Sequence, residues 1–229
     1  MKVSIIIPCY NEQSTIKDII NKVNSQSNIE KEIIVVDDNS QDKTREILQQ
    51  DLKNSIHKII FNDKNYGKGY SIRKGIENSS GDCILIQDAD LEYDPSDYKK
   101  LLDPIIKNYA DVVYGSRFLG TSERRVLYFW HTVGNKLLTL LSNMFSNLNL
   151  TDMEVGYKVF RSNILKEIKL QEDRFGFEPE VTAKIAKKDI KIFEVGISYF
   201  GRKYSEGKKI TWKDGFSAIR CIVKYNLFK

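Results

Sequence analysis

The sequence has 229 residues, of which 41% are hydrophobic and 29% charged, and its formal net charge is +5. These values fit a globular protein with a buried core and exclude a disordered or fibrous chain. The mild positive charge permits anionic partners. However, no basic stripe, zinc-finger spacing or RNA-binding signature indicates nucleic acid.

The first half of the chain alternates short β-branched runs with longer amphipathic stretches, which predicts a parallel α/β sheet with right-handed crossovers. The predicted strands are residues 3–7, 32–36, 58–61, 83–87 and 111–114, and the predicted helices are residues 14–24, 43–50, 69–78 and 96–108. Ligands of such sheets bind beyond the carboxyl ends of the strands. We therefore expect the loops at 8–12, 37–42, 62–68, 88–94 and 115–124 to meet at one site.

The second half begins with a long amphipathic stretch at 122–147, which predicts a helix. A strand is predicted at 156–161, a helix at 181–188 and a strand at 191–197, and the tail from 210 to 229 mixes basic and aromatic residues. No linker or repeat interrupts the chain. One domain, 1–229, is therefore predicted.

The cysteines and the apolar runs bear on the compartment. Cys9, Cys83 and Cys221 lie far apart and form no CxxC pair, so a reducing compartment is predicted rather than a disulfide framework or structural zinc site. The apolar run at the amino terminus ends at Pro8 and is too short for a signal peptide. No segment reaches the ~20 apolar residues that span a bilayer, so no membrane-spanning helix is expected.

The most informative motif is an acidic segment directly after the apolar strand at 83–87. Asp88, Asp90 and Glu92 alternate there and can gather around a hard divalent cation. Mg²⁺ or Mn²⁺ bound by few carboxylates completes its shell with water and substrate phosphates. An acidic turn that caps the next helix has the same pattern, so both interpretations stay open.

Two further segments carry weaker signals. Residues 37–40 are acidic and polar and follow a strand, where Asp38 can accept hydrogen bonds from a ribose or a base, or belong to a helix cap. The segment Gly67-Lys68-Gly69 lacks both the Walker and the GxGxxG patterns. A flexible turn that opens a helix is its simpler interpretation.

Taken together, the motifs at 8–12, 37–40, 88–91 and 115–117 occur in the order and spacing of glycosyltransferase family 2. Within that family the chain resembles the dolichyl-phosphate mannose synthases and their bacterial polyprenyl-phosphate relatives, and residues 151–158, 175–178 and 202–208 match as well. The resemblance covers residues 3 to about 213. It implies a glycosyltransferase A-type, Rossmann-like α/β fold with a mostly parallel sheet flanked by helices, and carboxyl-terminal amphipathic helical elements.

The resemblance also implies roles for individual residues. The nucleotide-sugar contacts would be Pro8, Tyr10, Glu12, Val36, Asp38, Asp88, Ala89, Asp90, Arg117, Arg202 and Lys208. Asp90 would be the main ligand of Mg²⁺ or Mn²⁺ and Glu92 the second, at a position where many relatives have Gln. Asp88, Asp90 and Arg202 would act in catalysis, because a leaving nucleoside diphosphate needs positive charge near its β-phosphate.

The acceptor side departs from the family pattern. Relatives place an Arg and a Ser on the helix after the Gly-Ser-Arg motif, whereas this sequence has Arg124, Arg125 and His131 there. We predict these three as lipid-phosphate contacts, with a packed helix histidine as the alternative for His131. A phosphate monoester, with a second pKa of about 6, is mostly dianionic at neutral pH and needs cations more than a general base.

The implied function is a metal-dependent inverting transfer of mannose or glucose from GDP-mannose or UDP-glucose to a polyprenyl or dolichyl phosphate. Residues 1–120 would hold the donor, and residues 121–229 would face the acceptor and the membrane. The resemblance implies a cytoplasmic protein, peripheral at the membrane surface, and is compatible with a separate membrane-anchoring partner. A family-2 transferase with a saccharide hydroxyl as acceptor and a non-catalytic nucleotide-sugar-binding protein remain alternatives.

Overall fold

The computed structural model describes residues 1–120, 123–126, 128–203, 206–207 and 212–228. Its strands are β1 (Val3–Cys9), β2 (Lys31–Asp37), β3 (Lys58–Phe61), β4 (Cys83–Ile86), β5 (Val112–Ser116), β6 (Lys158–Arg161) and β7 (Ile192–Gly196). Its helices are α1 (Ile16–Asn24), α2 (Thr44–Gln50), α3 (Lys68–Glu77), α4 (Tyr98–Ile106), α5 (Phe129–Ser146), α6 (Ser162–Glu167), α7 (Phe177–Ile185) and α8 (Trp212–Leu227). A 3₁₀ turn at Pro95–Asp97 leads into α4.

The strands form one sheet in the order β3-β2-β1-β4-β6-β5-β7. Every neighbouring pair is parallel except the two that involve β6, which runs antiparallel to both β4 and β5. The mostly parallel α/β fold predicted from the sequence is confirmed. The carboxyl ends of β1, β2, β4 and β5 consequently lie at the same edge of the sheet.

The central strands are apolar on both faces because helices cover the sheet. All seven residues of β1 and all four of β4 are buried, as expected for strands of a covered parallel sheet. The predicted strands of the first half agree with the structure within two residues at each end. The helix predicted over 122–147 begins only at Phe129, so Arg124 and Arg125 precede it, and Arg124 forms a β-bridge with Tyr199.

Close packing of α3 on β1 depends on a glycine. A Cβ atom built on Gly75 would lie 2.3 Å from Cγ2 of Ile6, a fully buried residue of β1. Ile6 is β-branched and stiff at χ1, so it cannot move aside freely. By contrast, a Cβ atom on Gly134 of α5 would meet no atom within 4 Å.

We expect Gly75→Ala to lower the free energy of unfolding by about 1–3 kcal/mol, because overpacking outweighs the gain in helix propensity. Gly134→Ala is the matched control on another helix and should leave stability unchanged or raise it by up to about 1 kcal/mol. Urea unfolding of the two variants measures both values. Equal stabilities for the two variants would contradict the close approach at Ile6.

Candidate active site

A cavity of about 930 Å³ opens at the edge where the parallel strands end. Its walls come from the loops after β1, β2, β3, β4 and β5, from the start of α3, and from α5, α7 and α8. The expectation that these loops meet at one site is confirmed. The predicted site residues that line the cavity are Pro8, Tyr10, Glu12, Asp38, Asp88, Ala89, Asp90, Glu92, Arg117, Arg124, Arg125, His131 and Arg202.

Two predicted nucleotide contacts do not join this group. The side chain of Val36 is fully buried in β2, where the residue pairs with Pro8 of β1 and Ile60 of β3, and it does not line the cavity. Lys208 lies outside the described residues. The other predicted nucleotide-sugar contacts all line the cavity, and their contact with a nucleotide stays a prediction.

Asp38 holds the loop that leads into α3. One carboxylate oxygen accepts hydrogen bonds from Asn62 Nδ2 at 2.8 Å and from the backbone N–H of Tyr66 at 3.0 Å, and the other accepts from the N–H of Gly67 at 2.7 Å. The side chain is buried. Asp38 thus shapes the wall of the cavity, and its contact with a nucleotide stays a prediction.

The acidic loop after β4 turns sharply at Leu91. Its φ of 63° is left-handed, which is uncommon for a bulky residue, and strain of this kind concentrates at functional sites. The turn lets Asp90 Oδ1 accept the backbone N–H of Glu92 at 3.1 Å. Both carboxylates thereby face Arg202.

Arg202 is surrounded by three carboxylates. Its Nη2 lies 2.9 Å from Asp90 Oδ2, and its Nη1 lies 3.4 Å from Glu12 Oε2. Its Nε lies 3.6 Å from Glu92 Oε1, which also accepts its backbone N–H at 2.8 Å. The guanidinium is therefore the cation with which this acidic group is paired in the structure.

Glu92 also ties down the segment that carries Arg202. Its Oε2 accepts the hydroxyl of Tyr199 at 2.9 Å, and its backbone carbonyl accepts the N–H of Phe200 at 2.9 Å. Both carboxylate oxygens of Glu92 are consequently hydrogen-bonded. Its role as second metal ligand stays a prediction, because a metal there would have to share or replace these bonds.

The charge and the donor chemistry of the acidic loop fit a divalent cation. Burial, and then the charges of Asp88 and Glu92, raise the pKa of Asp90 although Arg202 opposes the shift. Among the described lining residues, eight Asp and Glu side chains face six Lys and Arg side chains, so carboxyl groups outnumber the cations. No cluster of three His, Cys, Asp or Glu in ligating positions occurs in the described part of the chain. Proteins commonly bind Mg²⁺ or Mn²⁺ through one or two carboxylates, with water and phosphate as the other ligands, and the oxygen ligands of the acidic loop are of this type.

Lys68 is a site residue that the sequence did not reveal. Its Nζ lies 2.8 Å from Asp88 Oδ1 and 3.0 Å from Glu178 Oε1, in the wall of the cavity. Burial by itself would lower the pKa of Lys68, but the two carboxylates raise it well above the usual lysine value. Lys68 is therefore a fixed cation that joins the acidic loop to the start of α7.

The glycines on either side of Lys68 permit this placement. Cβ atoms on Gly67 and Gly69 would lie 2.5 Å and 2.3 Å from backbone carbonyl oxygens of residues 173 and 172, and Gly67 has a φ of 111°. The N–H groups of Gly69 and Tyr70 donate to the carbonyls of Arg174 and Asp173. The segment is hence a closely packed contact between α3 and residues 172–174, rather than the flexible turn expected from the sequence.

Three further arginines that line the cavity are bonded to groups outside the acidic loop. Arg117 forms a bidentate pair with the fully buried Asp152, at 2.7 Å from Nε and 2.6 Å from Nη2. Arg124 donates to the carbonyl of Arg117 at 3.3 Å, and Arg125 pairs with Glu206 at 2.8 Å. His131 lines the same end of the cavity, with its ring 5.3 Å from that of Tyr128.

Part of the cavity lining is apolar. That part includes Trp130, Leu137 and Leu138 of α5 and Phe216 and Ile219 of α8. Trp130 is 77% exposed and Phe216 68%, so both also face outward. In the described part of the chain, no helix has the length and apolar character needed to cross a membrane.

Glu154 and Lys158 were also missed by the sequence analysis. Glu154 lines the cavity, and burial together with the charge of Glu178 raises its pKa. Lys158 is fully buried and donates to the carbonyls of Met153 and Val155, on either side of Glu154. Burial lowers the pKa of Lys158. The available signal was the family match over residues 151–158, which contains both residues.

Comparison with known proteins agrees with this geometry. The family model described as glycosyl transferase family 2 matches residues 4–169. The chain belongs to glycosyltransferase family 2. This is the family that the sequence motifs indicated.

Relatives of this family-2 glycosyltransferase include a dolichol-phosphate mannosyltransferase from Pyrococcus furiosus, 29% identical across the whole of this chain. The chain spans 64% of that relative's length. A UDP-N-acetylglucosamine–dolichyl-phosphate N-acetylglucosaminyltransferase from Methanococcus voltae is 28% identical over 93% of the chain and 91% of the relative. An undecaprenyl-phosphate 4-deoxy-4-formamido-L-arabinose transferase from Aeromonas hydrophila is 26% identical over 90% of the chain and 62% of the relative.

Among solved structures, the glycosyltransferase is similar to glucosyl-3-phosphoglycerate synthase from Mycobacterium tuberculosis, determined with Mn²⁺, UDP and phosphoglyceric acid. The TM-score is 0.77 with 16% identity, over 100% of this chain and 79% of the synthase chain. Similarity at this identity shows the fold alone. It confirms the glycosyltransferase A-type architecture.

Replacing Lys68 should destabilise the protein. Lys68→Met leaves Asp88 and Glu178 facing each other without a cation, and we expect the free energy of unfolding to fall by about 1–3 kcal/mol. Lys74→Met is the control on the same helix. It removes an exposed pair with Glu77, and its effect should stay within about 0.5 kcal/mol. Urea unfolding at neutral pH measures both; a similarly small loss for both variants would rule out the bridging role of Lys68.

Proposed function

We propose that this family-2 glycosyltransferase moves a hexose from a nucleotide-sugar to a polyprenyl phosphate in a reaction that depends on Mg²⁺ or Mn²⁺. The observation that carries the proposal is a cavity with two chemically different ends. One end has the carboxylates around Arg202, which suit a cation and a diphosphate; the other has cations followed by an apolar cleft, which suit a phosphate on an isoprenoid chain. The relatives named for dolichol, dolichyl and undecaprenyl phosphate support this acceptor class.

In this proposal Asp90, with Glu92 beside it, would hold the divalent cation. When bound, the cation supplies positive charge to the leaving diphosphate. Arg202 is already next to these carboxylates, so it would donate hydrogen bonds to the β-phosphate as negative charge develops there. Asp88 is fixed by Lys68 and would orient the sugar.

The acceptor phosphate would approach from the side of Arg124, Arg125 and His131. One of its oxygens forms the new bond to the anomeric carbon while the bond from that carbon to the β-phosphate oxygen breaks, which inverts the configuration. Since the attacking phosphate is already mostly deprotonated at neutral pH, the reaction requires positioning by cations rather than a general base.

The exposed apolar side chains support an enzyme that works at a membrane surface. Phe129, Trp130 and Met144 of α5 are 70%, 77% and 70% exposed. Aromatic side chains next to arginines are typical of helices that lie in the membrane interface. Such a position would let the acceptor keep its isoprenoid chain in the lipid while its phosphate enters the cavity.

Transfer can be tested directly with purified protein, radiolabelled GDP-mannose or UDP-glucose, Mg²⁺ or Mn²⁺, and a short-chain polyprenyl phosphate. We expect metal-dependent movement of label from one donor into the organic phase, and a loss of at least about 100-fold in Asp90→Asn. Asp94→Asn is the matched control, since Asp94 lies on the same loop but pairs with Lys22 outside the cavity. Absence of lipid product, with metal-dependent nucleotide binding intact, would favour a saccharide hydroxyl acceptor instead.

Membrane association can be measured separately by sedimentation with vesicles that contain anionic lipid. The double variant Phe129→Ser/Trp130→Ser should bind vesicles at least about tenfold more weakly, because each aromatic ring contributes buried apolar area at the interface. Tyr109→Ser is the control, since Tyr109 is 60% exposed but does not line the cavity. Equal vesicle binding by all three proteins would show that α5 does not lie in the interface.

A further inference from the structure

Glu154 lines the cavity in which the nucleotide-sugar and the acceptor are proposed to meet. It lies in the turn before β6, two residues from Gly156, whose position abuts Asp88: a Cβ atom there would be 2.3 Å from Asp88 Oδ2. On its other side are Asp152 and its partner Arg117. The turn therefore links the carboxylate expected to orient the sugar with Arg117, another predicted contact of the nucleotide-sugar.

One oxygen of Glu154 has no hydrogen-bond partner in the described structure. Oε1 is buried yet accepts no hydrogen bond, although Glu154 lines the cavity. Other carboxylates of the cavity wall are bonded to protein groups: Asp88 and Glu178 to Lys68, and Asp38 to three donors. Buried polar atoms without a partner are rare and call for a ligand or a water molecule.

The position of the transferred sugar follows from the two ends of the cavity. Its anomeric carbon must lie between the leaving diphosphate, proposed near Arg202, and the incoming phosphate. Asp88, Glu154 and Gly156 line the same cavity, and Asp88 is already held by Lys68. A hexose presents several hydroxyl donors to such a wall.

We propose that Glu154 is a specificity-determining residue whose carboxyl group hydrogen-bonds a hydroxyl of the transferred hexose. This inference rests on the proposed function, because it requires that the cavity bind a nucleotide-sugar. Lys158, buried behind the turn and bonded to the carbonyls on both sides of Glu154, holds the backbone that aims the carboxyl group. Glu154 thus recognises the sugar, whereas other residues bind the nucleoside and the diphosphate.

The test compares two ligands that differ only in the sugar. Titration calorimetry with Mn²⁺ and no acceptor gives the affinities for UDP and UDP-glucose, and for GDP and GDP-mannose. We expect Glu154→Ala to weaken binding of the preferred nucleotide-sugar by about 5- to 100-fold, the value of one lost hydrogen bond to a buried carboxyl group. Binding of the matching nucleoside diphosphate should change by less than about twofold.

Two further variants make the result specific. Glu154→Gln keeps the size of the side chain and its capacity to hydrogen-bond, so it should lose less affinity than Glu154→Ala. Because it preserves the packing around residue 154, it also provides a test of the inference if Glu154→Ala fails to fold. Glu77→Ala removes an exposed carboxylate of α3 and should bind both ligands like the unaltered protein.

The outcomes separate this inference from the function on which it rests. Equal weakening of the nucleoside diphosphate and the nucleotide-sugar by Glu154→Ala would overturn the inference, and so would unchanged binding of both. If the unaltered protein bound neither UDP nor GDP, the proposed function itself would fail. Selective loss of the nucleotide-sugar, with the nucleoside diphosphate retained, is the supporting result.

Discussion

Carboxylates crowded at one edge of the sheet must each find a cation or a hydrogen-bond donor, and this requirement organises the site. Arg202 brings the segment after β7 over the acidic loop because Asp90 and Glu92 hold both its side chain and its backbone. Lys68 brings α3 and α7 together because Asp88 and Glu178 share it. The groups proposed to act in catalysis are thus also the groups that fix the loops around them.

The central strands and the meeting of the loops could be predicted because both follow from local patterns. Continuous apolar runs mark strands covered on both faces, and parallel strands bring their carboxyl ends to one edge. The direction of β6 could not be predicted, since its four residues carry no signal for orientation. The start of α5 was misplaced because apolar spacing extends before Phe129, whereas the structure pairs Arg124 with Tyr199 instead.

For the site residues too, the sequence shows the chemical type of each side chain but not its hydrogen-bond partners. Residue type and motif order indicated five of the eight carboxylates that line the cavity among the described residues, but they could not show which donors each one already has. Glu92 is hydrogen-bonded through both oxygens, and Asp38 holds a loop, because partners distant in the sequence reach them. The bridging position of Lys68 could not be predicted for a related reason, because its partner Glu178 lies 110 residues further along the chain.

The packed contact at Gly67 and Gly69 also affects how the enzyme must recognise phosphate. Many nucleotide-binding proteins bind phosphate through the free N–H groups at the start of a helix. Here the N–H groups of Gly69 and Tyr70 are bonded to residues 174 and 173, so the start of α3 does not offer them. In the proposed function, recognition of the diphosphate would therefore fall to charged side chains and a cation, and the affinity for the donor would fall as ionic strength rises.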